Sequence, residues 1–142
     1  MTTQPYSYVV LRYMPDAGAG EALNIGVVVY SRDARFLRLH VDECGERLSR
    51  AFAGFSELSF RRAMANLVAV FRSAGDALLE GPLLTDDRGF DDWLTALMPD
   101  TGASVAFTPP RHGITTDLGH ETLALFERMV TSQQVRQCQE TK

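Results

Sequence analysis

Apolar and polar positions alternate, or run on as unbroken apolar stretches, through the first forty residues. Tyr6 to Tyr13 (YSYVVLRY) is aromatic and β-branched, with no Gly or Pro, which predicts a strand. Its apolar residues fall on both parities, so the strand should be central in its sheet. Met14 to Leu23 carries Pro15, Asp16, Gly18 and Gly20 and reads as a loop. Asn24 to Ser31 (NIGVVVYS) is a second strand, in which Gly26 marks a bulge or a close backbone approach. After a short turn at Ser31 to Arg35, Phe36 to Asp42 alternates cleanly. Leu37, Leu39 and Val41 face one way, and Phe36, Arg38, His40 and Asp42 the other. Short connections predict an antiparallel meander of these three strands.

The period then lengthens. Glu43 to Phe52 reads as a short helix with i,i+4 pairs Glu43/Arg47 and Glu46/Arg50. Ser59 is the expected cap of a longer helix, Phe60 to about Leu78, with Phe60, Met64, Leu67, Val68 and Phe71 as its apolar stripe. Phe90 to Met98 forms another short helix that Pro99 stops. Ser104 to Thr108 is a fourth, short strand, and Pro109 to Gly113 reads as a stiff loop. Asp117 is placed to cap a last helix, Leu118 to Val130, with Leu118, Leu125, Phe126, Met129 and Val130 turned to the core.

The order βββ, helices, β, α predicts an α+β fold: an antiparallel three-stranded meander plus one further strand, with helices packed on the sheet. Residues 1–130 make a single α+β domain, and 131–142 a polar, frayed tail. At 142 residues the chain needs neither metal nor disulfide to fold.

Composition removes several functions. A net charge of −4 argues against nucleic acid, whose binders neutralise phosphates with a basic face. Lysine is nearly absent and no helix is strongly basic, so no membrane surface is expected either. The two cysteines, Cys44 and Cys138, read as reduced thiols, and the first residues lack a secretory pattern, so the expected location is the cytoplasm.

One stretch, Leu11 to Leu37, resembles a bacterial family, domain of unknown function 3037. The resemblance rests on Arg12, Tyr13, Pro15, Asp16, Glu21, Asn24 and Gly26. A weaker block near the C-terminus adds Pro110, Arg111, Thr116, Asp117 and Leu125-Phe126-Glu127-Arg128. The resemblance implies no activity. It implies a protein partner, by association with small kinases of the toxin–antitoxin type.

The candidate chemistry is sparse. Gly18-Ala19-Gly20 begins like a dinucleotide fingerprint, but the third glycine is missing and the loop joins two strands instead of opening a helix. His40, Cys44, His112 and His120 lack the paired spacing of a zinc site, so no metal and no cofactor is expected. The first strand has no acid for two-metal nuclease chemistry, and Ser7, Ser31, Ser49 and Ser104 sit in no nucleophile elbow.

Arg12, Glu21 and Asn24 are the polar residues that a strand pair does not obviously need. Either Arg12 pairs with Glu21 in a structural network, or the set grips a carboxylate or phosphate. Arg111, Thr116 and Asp117, before the last helix, read either as a cap with a solvated Arg or as an anion site. With no convincing nucleophile, the first expectation is a non-catalytic binding or regulatory module with a protein partner. The alternative is a small enzyme acting on a phosphorylated or carboxylated substrate. One pocket joining Arg12 and Arg111 would support that alternative, and a homo-oligomeric structural subunit is a third reading.

Overall fold

Strands with apolar residues on both parities need cover on both faces, and they have it. The computed structural model describes residues 2–14, 22–42, 48, 50, 56–80, 94 and 105–131. Among these, β1 (Gln4–Tyr13), β2 (Leu23–Ser31) and β3 (Phe36–Val41) form the expected antiparallel meander. Helix α1 (Glu57–Glu80) follows, then β4 (Val105–Phe107), β5 (Arg111–Thr115) and α2 (Leu118–Phe126). The sheet order is β3-β2-β1, with β4 and β5 both pairing antiparallel with the far side of β1. This is the predicted α+β class.

One face packs against α1. Val9, Leu11, Ile25, Val28, Tyr30 and Leu37 meet Phe60, Met64, Leu67 and Phe71, and Leu48 and Leu94 join the same cluster. The other face packs against α2, where Tyr6, Tyr8, Val10, Val27 and Val29 meet Leu118, Leu125 and Val130. So odd positions of β1 face α1 and even positions face α2. Truncating a fully buried residue such as Leu11 to Ala would cost about 2–5 kcal/mol.

Strand β2 cannot serve both faces on a strict period of two. Leu23 and Ile25 point to α1, and so do Val28 and Tyr30. The parity changes at a bulge: Leu11 pairs with Gly26 but Arg12 with Asn24, leaving Ile25 as the extra residue. A Cβ on Gly26 would sit 3.0 Å from the His40 carbonyl oxygen and 3.0 Å from Val41 Cγ2. The glycine is both bulge and close approach.

Four of the five expected α1 stripe positions, Phe60, Met64, Leu67 and Phe71, are buried, with Val68 half-buried, but the start of the helix differs. Ser56, not Ser59, caps the helix: Ser59 N–H donates to Ser56 Oγ at 3.3 Å, and Phe60 N–H to the Ser56 carbonyl at 3.0 Å. That sets the first turn three residues earlier, with Arg61 Nη2 donating to Glu57 Oε1 at 2.7 Å across it. At α2, Asp117 caps as expected, its Oδ1 accepting from His120 N–H at 3.0 Å. The helix does not stay α to Val130; from Glu127 to Thr131 it widens into a π-helical turn.

The predicted loop from Pro109 to Gly113 is corrected. Only Pro109 and Pro110 leave the ladder, and Arg111 resumes it as β5, giving five strands where four were expected. The short helices expected at Glu43–Phe52 and Phe90–Met98, Glu21, both cysteines and the tail 132–142 lie outside the described residues, apart from Leu48, Arg50 and Leu94. No described helix is long and apolar enough to cross a membrane.

Candidate functional site

The even positions of β1 carry apolar side chains toward α2 until Arg12. Its neighbours in the sheet are Asn24 on β2 and Ala106 on β4. Ala106 offers no polar atom there. Asn24 is committed elsewhere: its Nδ2 donates to the Met129 carbonyl at 2.9 Å, tying the start of β2 to the π-helical turn. Arg12 Nε is buried and has no hydrogen-bond partner among the described residues. A buried donor of a charged group left this way is uncommon and costly, which marks the spot.

The other wall comes from the break in the edge strand. Pro109 and Pro110 cannot donate to a ladder, so β4 and β5 are two halves of one strand interrupted where prolines stand. Thr108 bridges the gap. Its N–H donates to the Val10 carbonyl at 2.9 Å, and its Oγ1 accepts from Val10 N–H at 2.9 Å, replacing the backbone carbonyl a regular ladder would offer. The chain then rejoins β1 with Arg111 opposite Tyr8, on the same face as Arg12.

The result is a recess of about 180 Å³ lined by Tyr8, Val10, Arg12, Asn24, Thr108, Arg111 and Met129. Arg12 lies half-buried on its floor and Arg111 is exposed at its mouth. The structure therefore brings together Arg12, Asn24 and Arg111, residues that stand at opposite ends of the chain.

It does not bring Thr116 and Asp117 to them. Arg111 pairs with Tyr8 while Thr115 pairs with Gln4, so four residues of extended strand, about 13 Å, separate Arg111 from the start of α2. Asp117 is used by its own helix, and Thr115 Oγ1 accepts from Asp117 N–H at 3.2 Å. Of the two readings of Arg111, Thr116 and Asp117, the geometry is that of a cap made by Asp117 with Arg111 exposed, and Arg111 lines the recess beside β1. Glu21, the proposed partner of Arg12, lies outside the described residues.

A second polar pair appears on the opposite sheet face. Ser7 Oγ and His112 Nδ1 are 3.1 Å apart, from paired positions of β1 and β5. They border a larger recess of about 650 Å³ with Tyr30, Ser31 and Ile114. Ser31 there already serves the fold. Ser31 Oγ donates to the Pro5 carbonyl at 2.8 Å and accepts from Ala34 N–H at 3.3 Å, closing the β2–β3 turn. Separation in sequence hid the Ser7–His112 pair, as it hid Tyr6, whose hydroxyl donates to Glu121 Oε1 at 2.9 Å. Burial, and then that hydrogen bond, push the Tyr6 hydroxyl up to a pKa of about 12. His40 is a packing residue: its ring meets Phe126 edge-on at 4.3 Å. Among the described residues no three His, Cys, Asp or Glu side chains are grouped to hold a metal ion.

The chain belongs to the family described as protein of unknown function DUF3037, whose family model matches residues 8–130. No curated protein and no solved structure matches it. The match runs from the first strand to the π-helical turn and so spans every residue that lines the recess.

Proposed function

We propose that this member of the DUF3037 family is a non-catalytic binding or regulatory module of the bacterial cytoplasm, whose recess beside β1 grips a carboxylate or phosphate group. The observation that carries this reading is Arg12, which lines one recess with Arg111 and whose buried Nε has no hydrogen-bond partner among the described residues. Guanidinium groups bind such oxyanions with charge-assisted, often paired hydrogen bonds.

Arg12 and Arg111 line one recess, which is the condition set above for the enzyme alternative and supports it as far as substrate binding goes. An enzyme would need a reactive group in the same recess. The hydroxyls lining it are those of Tyr8 and Thr108, and Thr108 Oγ1 already accepts from Val10. The Ser7–His112 hydrogen bond lies on the other face. Binding without turnover fits this arrangement better. A protein partner, of the kind the family association suggests, would then read the liganded state.

The test is a calorimetric titration of the protein with acetate and with inorganic phosphate, repeated on Arg12→Gln and Arg111→Gln. Saturable binding of at least one anion, weakened in both variants, is the expected result. Equal heats in wild type and variants would remove the recess as the site.

A further inference from the structure

We infer that the recess selects a dianion, the phosphoryl head of a small phosphate monoester, over a monocarboxylate. This rests on the oxyanion reading above and narrows it. Two arginines, Arg12 and Arg111, line one small recess, and no described lining residue carries a carboxylate. One carboxylate presents two coplanar oxygens, which a single guanidinium satisfies; the second arginine would stay uncompensated. A phosphoryl group carries close to two negative charges at neutral pH and three acceptor oxygens, so it can face both arginines at once.

Two further features fit the same head group. Thr108 Oγ1 accepts from Val10 N–H, which leaves its hydroxyl proton to donate into the recess, toward an acceptor-only ligand. The rest of the lining is Tyr8, Val10, Met129 and Asn24, whose Nδ2 donates to the Met129 carbonyl. A recess of about 180 Å³ has the space of roughly six waters, enough for a phosphoryl group and a stem of a few carbons. Anything as large as a nucleotide would extend past Arg111 into solvent.

The experiment compares three probes by calorimetry at neutral pH: methyl phosphate, methyl sulfate and acetate. Methyl sulfate has the shape of methyl phosphate with one charge fewer. Methyl phosphate should bind at least about tenfold more tightly than either other probe. Arg111→Gln alters an exposed residue and should keep the fold, checked by its thermal melt. It should reduce the preference for methyl phosphate over methyl sulfate to near unity. If acetate or methyl sulfate binds as tightly as methyl phosphate, the dianion inference is overturned while the oxyanion site stands. If no probe binds, or binding is unchanged in both Arg12→Gln and Arg111→Gln, the inference and the site fall together.

Discussion

Replacing Arg12 with Met separates a functional arginine from a structural one. Met is unbranched and of similar reach, so it can fill the floor between Asn24 and Ala106 without a cavity. In the folded protein Arg12 Nε is buried with no described partner. A buried donor left unmade costs about 1–3 kcal/mol. Only part of this side chain is buried, so the lower end applies, about 1 kcal/mol. Arg12→Met removes that cost and should leave the free protein as stable as wild type or about 1 kcal/mol more stable, a rise in Tm of about 3–4 °C for a chain of this size. If Arg12 were instead one half of an ion pair with Glu21, removing it would strand a carboxylate and destabilise the fold by about 3–5 kcal/mol.

The two outcomes differ in sign, so the assay need not be fine. Urea unfolding followed by circular dichroism, with the slope of the transition unchanged, reports the difference directly. The same variant should lose the rise in Tm that a bound anion gives the wild type. A loss of stability beyond about 2 kcal/mol would refute the reasoning, because it would show that Arg12 holds the fold together.

Three further perturbations test the frame around the recess. Gly26→Ala forces a Cβ to within 3.0 Å of the His40 carbonyl and Val41 Cγ2 and should cost about 1–3 kcal/mol in urea unfolding. Asn24→Ala removes the donor to the Met129 carbonyl; it should cost about 1 kcal/mol and speed amide exchange in Glu127–Thr131 more than elsewhere, measured by deuterium uptake. Tyr6 is held protonated in the fold, its pKa raised from 10.0 to about 12, so its contribution is fully present below about pH 10 and fades as pH rises toward 12. Ultraviolet titration should show one tyrosine ionising late, and Glu121→Gln should bring it earlier.

Legibility followed locality. The meander, the alternation of β3, the apolar stripe of α1 and the Asp117 cap depend on residues a few positions apart, and all four appear in the structure. Gly26, read as a bulge or a close approach, turns out to stand at both. The start of α1 was missed because Ser56 and Ser59 are both able caps, and only the backbone path selects between them. Strand β5 was missed for a different reason. Two prolines and a glycine are the strongest loop signals a chain carries, yet here the prolines occupy only a gap that Thr108 spans with its hydroxyl. The recess inherits that difficulty. Arg12 and Arg111 line one recess because β5 returns to β1 beyond the break, and nothing near either residue announces it.

The same strand break decides how the polar chemistry is divided. Arg111 and His112 are adjacent, and successive strand residues face opposite sides of a sheet, so the arginines and the Ser7–His112 pair are kept apart by the sheet itself. A slip of β5 by one residue would exchange them, putting His112 in the recess with Arg12 and Arg111 on the other face. Gly113 forbids the slip. It lies opposite Tyr6, and a Cβ there would come within 2.6 Å of Tyr6 Cζ, so any neighbour moved into its place would strike the ring. Tyr6 cannot easily swing away, because its hydroxyl is bonded to Glu121 on α2 and its ring sits in the α2 cluster. The register of β5 is therefore locked by a glycine, a ring and a helix. That lock keeps Arg12 and Arg111 on the lining of one recess and keeps Ser7 and His112 on the other sheet face, which is the division that the proposed anion site requires.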